Sequence, residues 1–140
     1  MARVMVAMSG GVDSSVAAAL LKDAGHEVVG VTMRLGTDDC LEETPRACCG
    51  PDAVNDAARV AEALGIPLYP LNFRRNFQEM VIGPFCDEYA AGRTPNPCIL
   101  CNRNLKFGRL LSLALAQGFD YLATGHYAVI RKDPHSGRFT

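Results

Sequence analysis

The stretch Ser9-Gly10-Gly11-Val12-Asp13-Ser14-Ser15 constrains this chain more than any other. It follows a short apolar run, Val4 to Met8, and opens an alanine-rich helical run, Val16 to Leu21. Two adjacent glycines let the backbone turn tightly and bare its N–H groups. The helix that follows contributes N–H donors without partners and a partial positive charge. Ser9, Ser14 and Ser15 add hydroxyl donors. Together these make an anion cradle suited to phosphate. The lysine of the GxxxxGK[ST] loop is missing, so the cradle suits a cleavage other than that of a γ-phosphate.

Strand and helix patterns alternate from there on, which predicts βαβ units and a mostly parallel sheet wound on both faces. Val4 to Met8 is apolar throughout, as a buried parallel strand should be. Val12, Val16 and Leu20, with Ala19 beside them, form the apolar face of the first helix, and Gly25 ends it. Glu27 to Met33 reads as a second strand. Gly36 to Gly50 is polar, with a proline and three cysteines, and reads as a loop. Pro51 starts a helix whose buried stripe is Val54, Ala57, Ala61 and Leu64, closed by Gly65. Leu68 to Leu71 is a third strand. Phe77 to Ala91 is helical with a break near Gly83-Pro84. Asn96 and Pro97 open a further helix as N-cap and first residue, with Leu100, Phe107, Leu111 and Ala114 on one face. Tyr121 to Thr124 is a fourth strand. Tyr127 to Arg131 reads as one arm of a hairpin with its turn at Asp133 to Gly137, so that residues 1–140 look like the N-terminal piece of a longer protein.

Composition narrows the class. Hydrophobic residues make up 49% of the 140 residues and charged ones 21%, which suits one globular domain. No apolar run approaches the ~20 residues of a membrane span, and Met1-Ala2-Arg3 leads directly into a strand without a secretion signal. Net charge is −1, so nucleic-acid binding would need a local basic patch. Six cysteines without a secretion signal point to thiol chemistry or a metal site rather than a disulfide framework.

The second dense stretch is Gly92-Arg93-Thr94-Pro95-Asn96-Pro97-Cys98-Ile99-Leu100-Cys101-Asn102. Cys98 falls in the first turn of its helix, and Cys101, three residues on, shares that face. A helix N-terminus favours thiolate, the nucleophilic form. Arg93, Arg103 and Lys106 add positive charge nearby, with Arg109 further along. Three chemistries fit the pair: a nucleophilic or persulfide-carrying Cys101, an iron–sulfur cluster, or half of a zinc site with Cys48 and Cys49. His126 reads as a structural turn histidine ahead of a proton-transfer residue, and Cys86 as a packing residue. Cys40 has no assigned role.

SGGVDSS matches the PP-loop of the ATP pyrophosphatase superfamily. Three motifs in this order, SGGVDSS, GRTPNPCILCNRNLKFG and YLATGHYAVI, resemble the N-terminal domain of the tRNA-uridine 2-sulfurtransferase (tRNA-specific 2-thiouridylase) family. The likeness covers nearly the whole chain, DAARVAEALGIPLYPLNF included.

The resemblance implies a doubly wound α/β domain of the adenine nucleotide α-hydrolase-like type over residues 1–140, stopping at its C-terminal hairpin. It implies a cytoplasmic transferase that uses ATP and Mg²⁺ to adenylate O2 of the tRNA wobble uridine. Sulfur then comes from the persulfide of a donor protein. Ala7, Met8, Ser9, Gly10, Gly11, Val12, Asp13 and Ser14 match the nucleotide loop, and Met33 and Gly125 match further nucleotide contacts. Asn96, Pro97 and Cys98 match the segment that meets the target base, and Cys101 matches the nucleophile. An aspartate often stands where this chain has Cys98, which leaves a [4Fe-4S] cluster, a disulfide or free thiols open for Cys98 and Cys101. The family's second catalytic cysteine falls past residue 140.

Overall fold

The computed structural model describes residues 1–36 and 51–139. Of the predicted Gly36–Gly50 loop only Gly36 falls among them; Cys40, Cys48 and Cys49 lie outside the described residues. Val4 to Met8 is apolar at each position because both faces of its strand are covered. β1 (Arg3–Ala7) lies between β2 (Glu27–Arg34) and β4 (Tyr121–Ala123), with β3 (Leu68–Asn72) outside β2. The order is β3-β2-β1-β4, and each neighbouring pair is parallel. Met5 pairs with Val29 on one side and Leu122 on the other. Pro70 sits on β3, an edge strand, where a missing N–H costs least.

Alternation along β1 divides the core into two layers. Val4, Val6 and Met8 meet Ala18 of α1 (Val12–Asp23) and Ala57 of α2 (Pro51–Leu64). Met5 and Val31 face the other way, against Val81, Leu105, Leu110 and Ala114 from the second half of the chain. Leu105 and Leu110 are wholly buried, each contributing about 1.5–3 kcal/mol of apolar burial. The doubly wound α/β reading therefore holds, with every described sheet pairing parallel.

The structure differs from the sequence reading in three places, two of them helices. The Val12–Val16–Leu20 face of α1 turns outward, with those side chains 77%, 49% and 64% exposed. Ser14 and Ala18 are the residues α1 buries, because small side chains let it lie close on the sheet. The Phe77–Ala91 helix starts earlier, as α3 (Arg74–Phe77), passes through a π segment π1 (Gln78–Ile82) and continues as α4 (Gly83–Ala90). Pro84 has no N–H for the carbonyl four residues before it, that of Met80. Asn104 Nδ2 donates to that carbonyl at 3.4 Å. The third difference is at the C-terminal end. Residues 127–131 form no strand; Lys132 and Phe139 make one antiparallel bridge around the predicted turn.

The cysteine helix is continuous over twenty residues: α5 (Pro97–Leu100), π2 (Cys101–Leu110) and α6 (Leu111–Ala116). Asn96 caps it as expected, its Oδ1 accepting from Cys98 N at 3.0 Å. Stripe residues Val54 and Leu64 of α2 are half-buried and Ala57 and Ala61 buried, as predicted. Lys22 Nζ donates to the Leu64 carbonyl, which ties the C-terminal end of α2 to α1.

Candidate functional site

Strand order reverses at β1: β2 and β3 lie on one side of it, β4 on the other. The loops after β1 and β4 therefore leave the sheet on either side of the switch point. That crevice, at the carboxyl ends of parallel strands, is where open α/β sheets bind ligands. Ser9–Gly11 fills one side and Thr124–Tyr127 the other.

Gly10 makes the first turn possible. Its φ is +79°, and a Cβ there would meet the Ala53 carbonyl oxygen at 2.6 Å. Gly11 is the extended N-cap of α1 and offers no side-chain hydrogen bond to the helix. The N–H groups of the first turn are thus left for a ligand, as an anion cradle requires. Two of the three serine hydroxyls donate within the loop. Ser14 Oγ and Ser15 Oγ both donate to the Gly11 carbonyl, at 3.2 and 2.8 Å. Ser14 Oγ accepts from Ser9 N at 3.2 Å, and Ser9 Oγ from Gly11 N at 3.4 Å. The Ser14 and Ser15 hydroxyls hold the loop's shape, while Ser9 Oγ accepts from Gly11 N and keeps a proton to donate.

Gly125 closes the crevice from the β4 side. A Cβ on it would stand 2.6 Å from Ser14 N and 2.9 Å from the Asp13 carbonyl carbon, so only glycine allows the approach. His126 Nδ1 is 2.9 Å from Thr124 Oγ1, and its ring centroid is 5.4 Å from that of Phe107 on π2. The structural reading of His126 agrees with both contacts. Tyr127 then donates its hydroxyl to Asp13 Oδ1 at 2.8 Å. The Asp13 hydrogen bond, and the repulsion between that carboxylate and a phenolate, hold the Tyr127 phenol above its usual 10.0. Sequence reasoning missed this pair, since Tyr127 reads locally as a hairpin residue.

Met33, near the carboxyl end of β2, is half-buried on the sheet face that carries the cysteine helix. Ala7, Met33 and Cys101 pack against the same buried cluster. Ala7, Met33 and Cys101 thus share the face under the cysteine helix, whereas Met8 and α1, which carries Ser14, lie on the opposite face and meet Gly125 across the end of β1. Cys98, in the first turn of its helix beside Asn96 and Pro97, is exposed, whereas Cys101 is half-buried. Cys98 is a free thiol, as is Cys86, which is exposed rather than packed. Among the described residues no group of three or more His, Cys, Asp or Glu could hold a metal ion. The Cys98–Cys101 pair alone offers two of the ligands a [4Fe-4S] cluster requires.

Charge near the cysteines is less free than composition implies. Arg93 is engaged by Glu88, Nε to Oε2 at 2.5 Å and Nη2 to Oε1 at 2.7 Å. That hydrogen bond, then the cation's charge, holds the Glu88 carboxyl below its ordinary range. Arg103 and Arg109 are exposed on π2, with no ion pair among the described residues.

Comparisons with known proteins agree with this geometry. Residues 2–139 match the family model described as the tRNA methyl transferase HUP domain. A tRNA-specific 2-thiouridylase MnmA from Clostridioides difficile is 56% identical over 137 residues, covering 98% of this chain and 38% of the relative. Among solved structures, a predicted subunit of tRNA methyltransferase from Methanocaldococcus jannaschii aligns with TM-score 0.59 at 22% identity, over 100% of this chain and 58% of the other. A glutamine-dependent NAD⁺ synthetase from Acinetobacter baumannii, solved with ADP, aligns with TM-score 0.57 at 18% identity, over 86% of this chain and 21% of the other. The two structures share the fold. The chain spans under two fifths of the length of the curated relative.

Proposed function

Because the chain belongs to the tRNA methyl transferase HUP domain family, we propose that its switch-point crevice binds ATP and serves the adenylation step of tRNA uridine 2-thiolation. One observation carries this reading. An uncapped helix N-terminus, held open by Gly10 and approached by Gly125, follows β1, whose last residue, Ala7, packs against the same buried cluster as the half-buried Cys101.

The residues fit an adenine nucleotide. The first-turn N–H groups of α1 would take the leaving pyrophosphate, and the strand ends carrying Met33 and Gly125 would flank the nucleoside. O2 of a uridine would attack the α-phosphorus, breaking its bond to pyrophosphate and giving an O-adenylated base. A tRNA base reaches such a pocket only when turned out of its stack. Asn96, Pro97 and Cys98 stand at the exposed start of the helix, where the base would enter. With a donor protein supplying a persulfide, Cys101 Sγ would attack its inner sulfur, forming a disulfide with the carrier cysteine and freeing hydrogen sulfide, which would displace AMP at C2 of the base; a thiol reductant would then reopen the disulfide. Mg²⁺, carried in with the nucleotide, would balance the phosphate charge.

The curated relative is named for thiolation and the family model for methyl transfer. A pyrophosphate cradle beside a thiol favours the first, because methyl transfer has no use for a cleaved diphosphate. A small-molecule ligase built on the same loop would not need Cys101.

The test uses the chain joined to the remaining length of its relatives, with tRNA, Mg·ATP and a persulfide donor. Release of AMP and pyrophosphate, together with thiolated uridine, is the expected result. Cys101→Ser should abolish thiolation and leave ATP binding intact. Release of ADP and phosphate instead, or full thiolation by Cys101→Ser, would overturn the assignment.

A further inference from the structure

We propose that Tyr127 is a positioning residue for Asp13, holding one carboxylate oxygen so that the other is presented to the divalent cation of a bound nucleotide. The inference rests on the nucleotide reading above and concerns the same crevice.

Asp13 is the one acidic residue in the first turn of α1, immediately before Ser14. A carboxylate there already lies in the field of the helix N-terminus. It can accept at either oxygen, and nothing in α1 itself fixes which one it offers. Tyr127 settles the matter from the far side of the crevice: its hydroxyl lies 2.8 Å from Oδ1. The bond spans 114 positions of sequence, so it reports the fold rather than a local turn.

The tyrosine is 89% exposed, and it is the backbone leading to it that is held in place. Gly125, two residues earlier, is seated on the Ser14 nitrogen, and His126 is pinned between Thr124 and the Phe107 ring. Thr124–Tyr127 is thus a strap fastened at three successive points, with the phenol at its end. Mg²⁺ is usually held by one or two carboxylates together with phosphate oxygens, retaining several waters. A single oriented carboxylate at the rim of a phosphate cradle fits that requirement. A freely rotating one would lose part of the binding to ordering.

The experiment measures ATP binding by the chain joined to the remaining length of its relatives, with Mg²⁺ and again with EDTA. It compares wild type, Tyr127→Phe, Asp13→Asn and the double variant. Tyr127→Phe keeps the ring and deletes only the hydroxyl, and far-UV dichroism confirms that each variant is folded. Loss of a hydrogen bond to a charged group predicts about five- to tenfold weaker Mg·ATP binding. Metal-free ATP should stay within about twofold, and the hydroxyl deletion should add less than about twofold to Asp13→Asn. Equal weakening with and without Mg²⁺ would show a plain anchor and overturn the positioning role, as would unchanged Mg·ATP binding. A wild-type chain that binds ATP in neither condition would remove the nucleotide reading and this inference with it.

Discussion

Gly125 sits so close to α1 that a Cβ on it would stand 2.6 Å from the backbone nitrogen of Ser14. The neighbouring atoms belong to the helix backbone and cannot swing aside as a side chain could. Gly125→Ala must therefore push the strap off the first turn of α1. Overpacking of this kind costs about 1–3 kcal/mol. Chemical denaturation should show that loss, and titration with Mg·ATP should show weakened binding even where the variant remains folded. Parental stability and parental affinity together would mean that the strap and α1 do not meet.

Two leucines test the layering of the core. Leu105 is wholly buried under the sheet, whereas Leu20 is 64% exposed on the outward face of α1. Leu105→Ala should destabilise the chain by about 2–5 kcal/mol. Leu20→Ala should change stability by no more than about 0.5 kcal/mol. Urea unfolding of both variants decides the matter, and comparable losses would mean that α1 is packed by its Val12–Val16–Leu20 face after all.

The layout was legible in the sequence because its signals are local. Unbroken apolar runs gave the buried strands, and glycine at 25 and 65 marked the ends of α1 and α2. The cradle was legible too, since a strand, two glycines and a helix dictate its backbone. What failed was partner choice. Periodicity finds an apolar stripe on α1 but says nothing of which neighbour covers it, and the close packing on the sheet selected Ser14 and Ala18 instead. The π segments escaped notice because π and α spacing differ by less than one residue per turn. The Tyr127–Asp13 bond left no trace in either local pattern, for it exists only after β4 pairs with β1.

Asn96 is the sequence-predicted cap whose geometry can be checked most directly. Its Oδ1 accepts from Cys98 N at 3.0 Å, satisfying one donor at the start of the cysteine helix. Removing such a cap costs about 1 kcal/mol, within 0.5–2 across hosts. Asn96→Ala should lose that amount, and Asn96→Asp, which keeps the acceptor, should retain most of it. Amide exchange at Cys98 is the more specific readout. It should accelerate in Asn96→Ala alone, and equal protection in both variants would show that the side chain does not cap the helix.

The alkaline limb of a titration should carry the signature of the Tyr127–Asp13 pair. The phenol's hydrogen bond to Asp13, and the carboxylate's charge, hold its folded value above the ordinary 10.0. A raised folded value means that the protonated form is favoured by folding. The pair's contribution is therefore fully present below pH ~10 and is lost as pH rises through the raised value. Asp13→Asn removes the charge and should bring Tyr127 back toward ordinary phenol behaviour. Ring-carbon chemical shifts followed from pH 8 to 12, about two units either side of a normal tyrosine, would resolve this residue from the other three. The wild-type Tyr127 midpoint should lie above 10.0 and fall toward it in Asp13→Asn. If Tyr127 titrates at the ordinary phenol value in the wild type, the hydroxyl and the carboxylate are not bonded in solution, and the strap lacks its outer fastening.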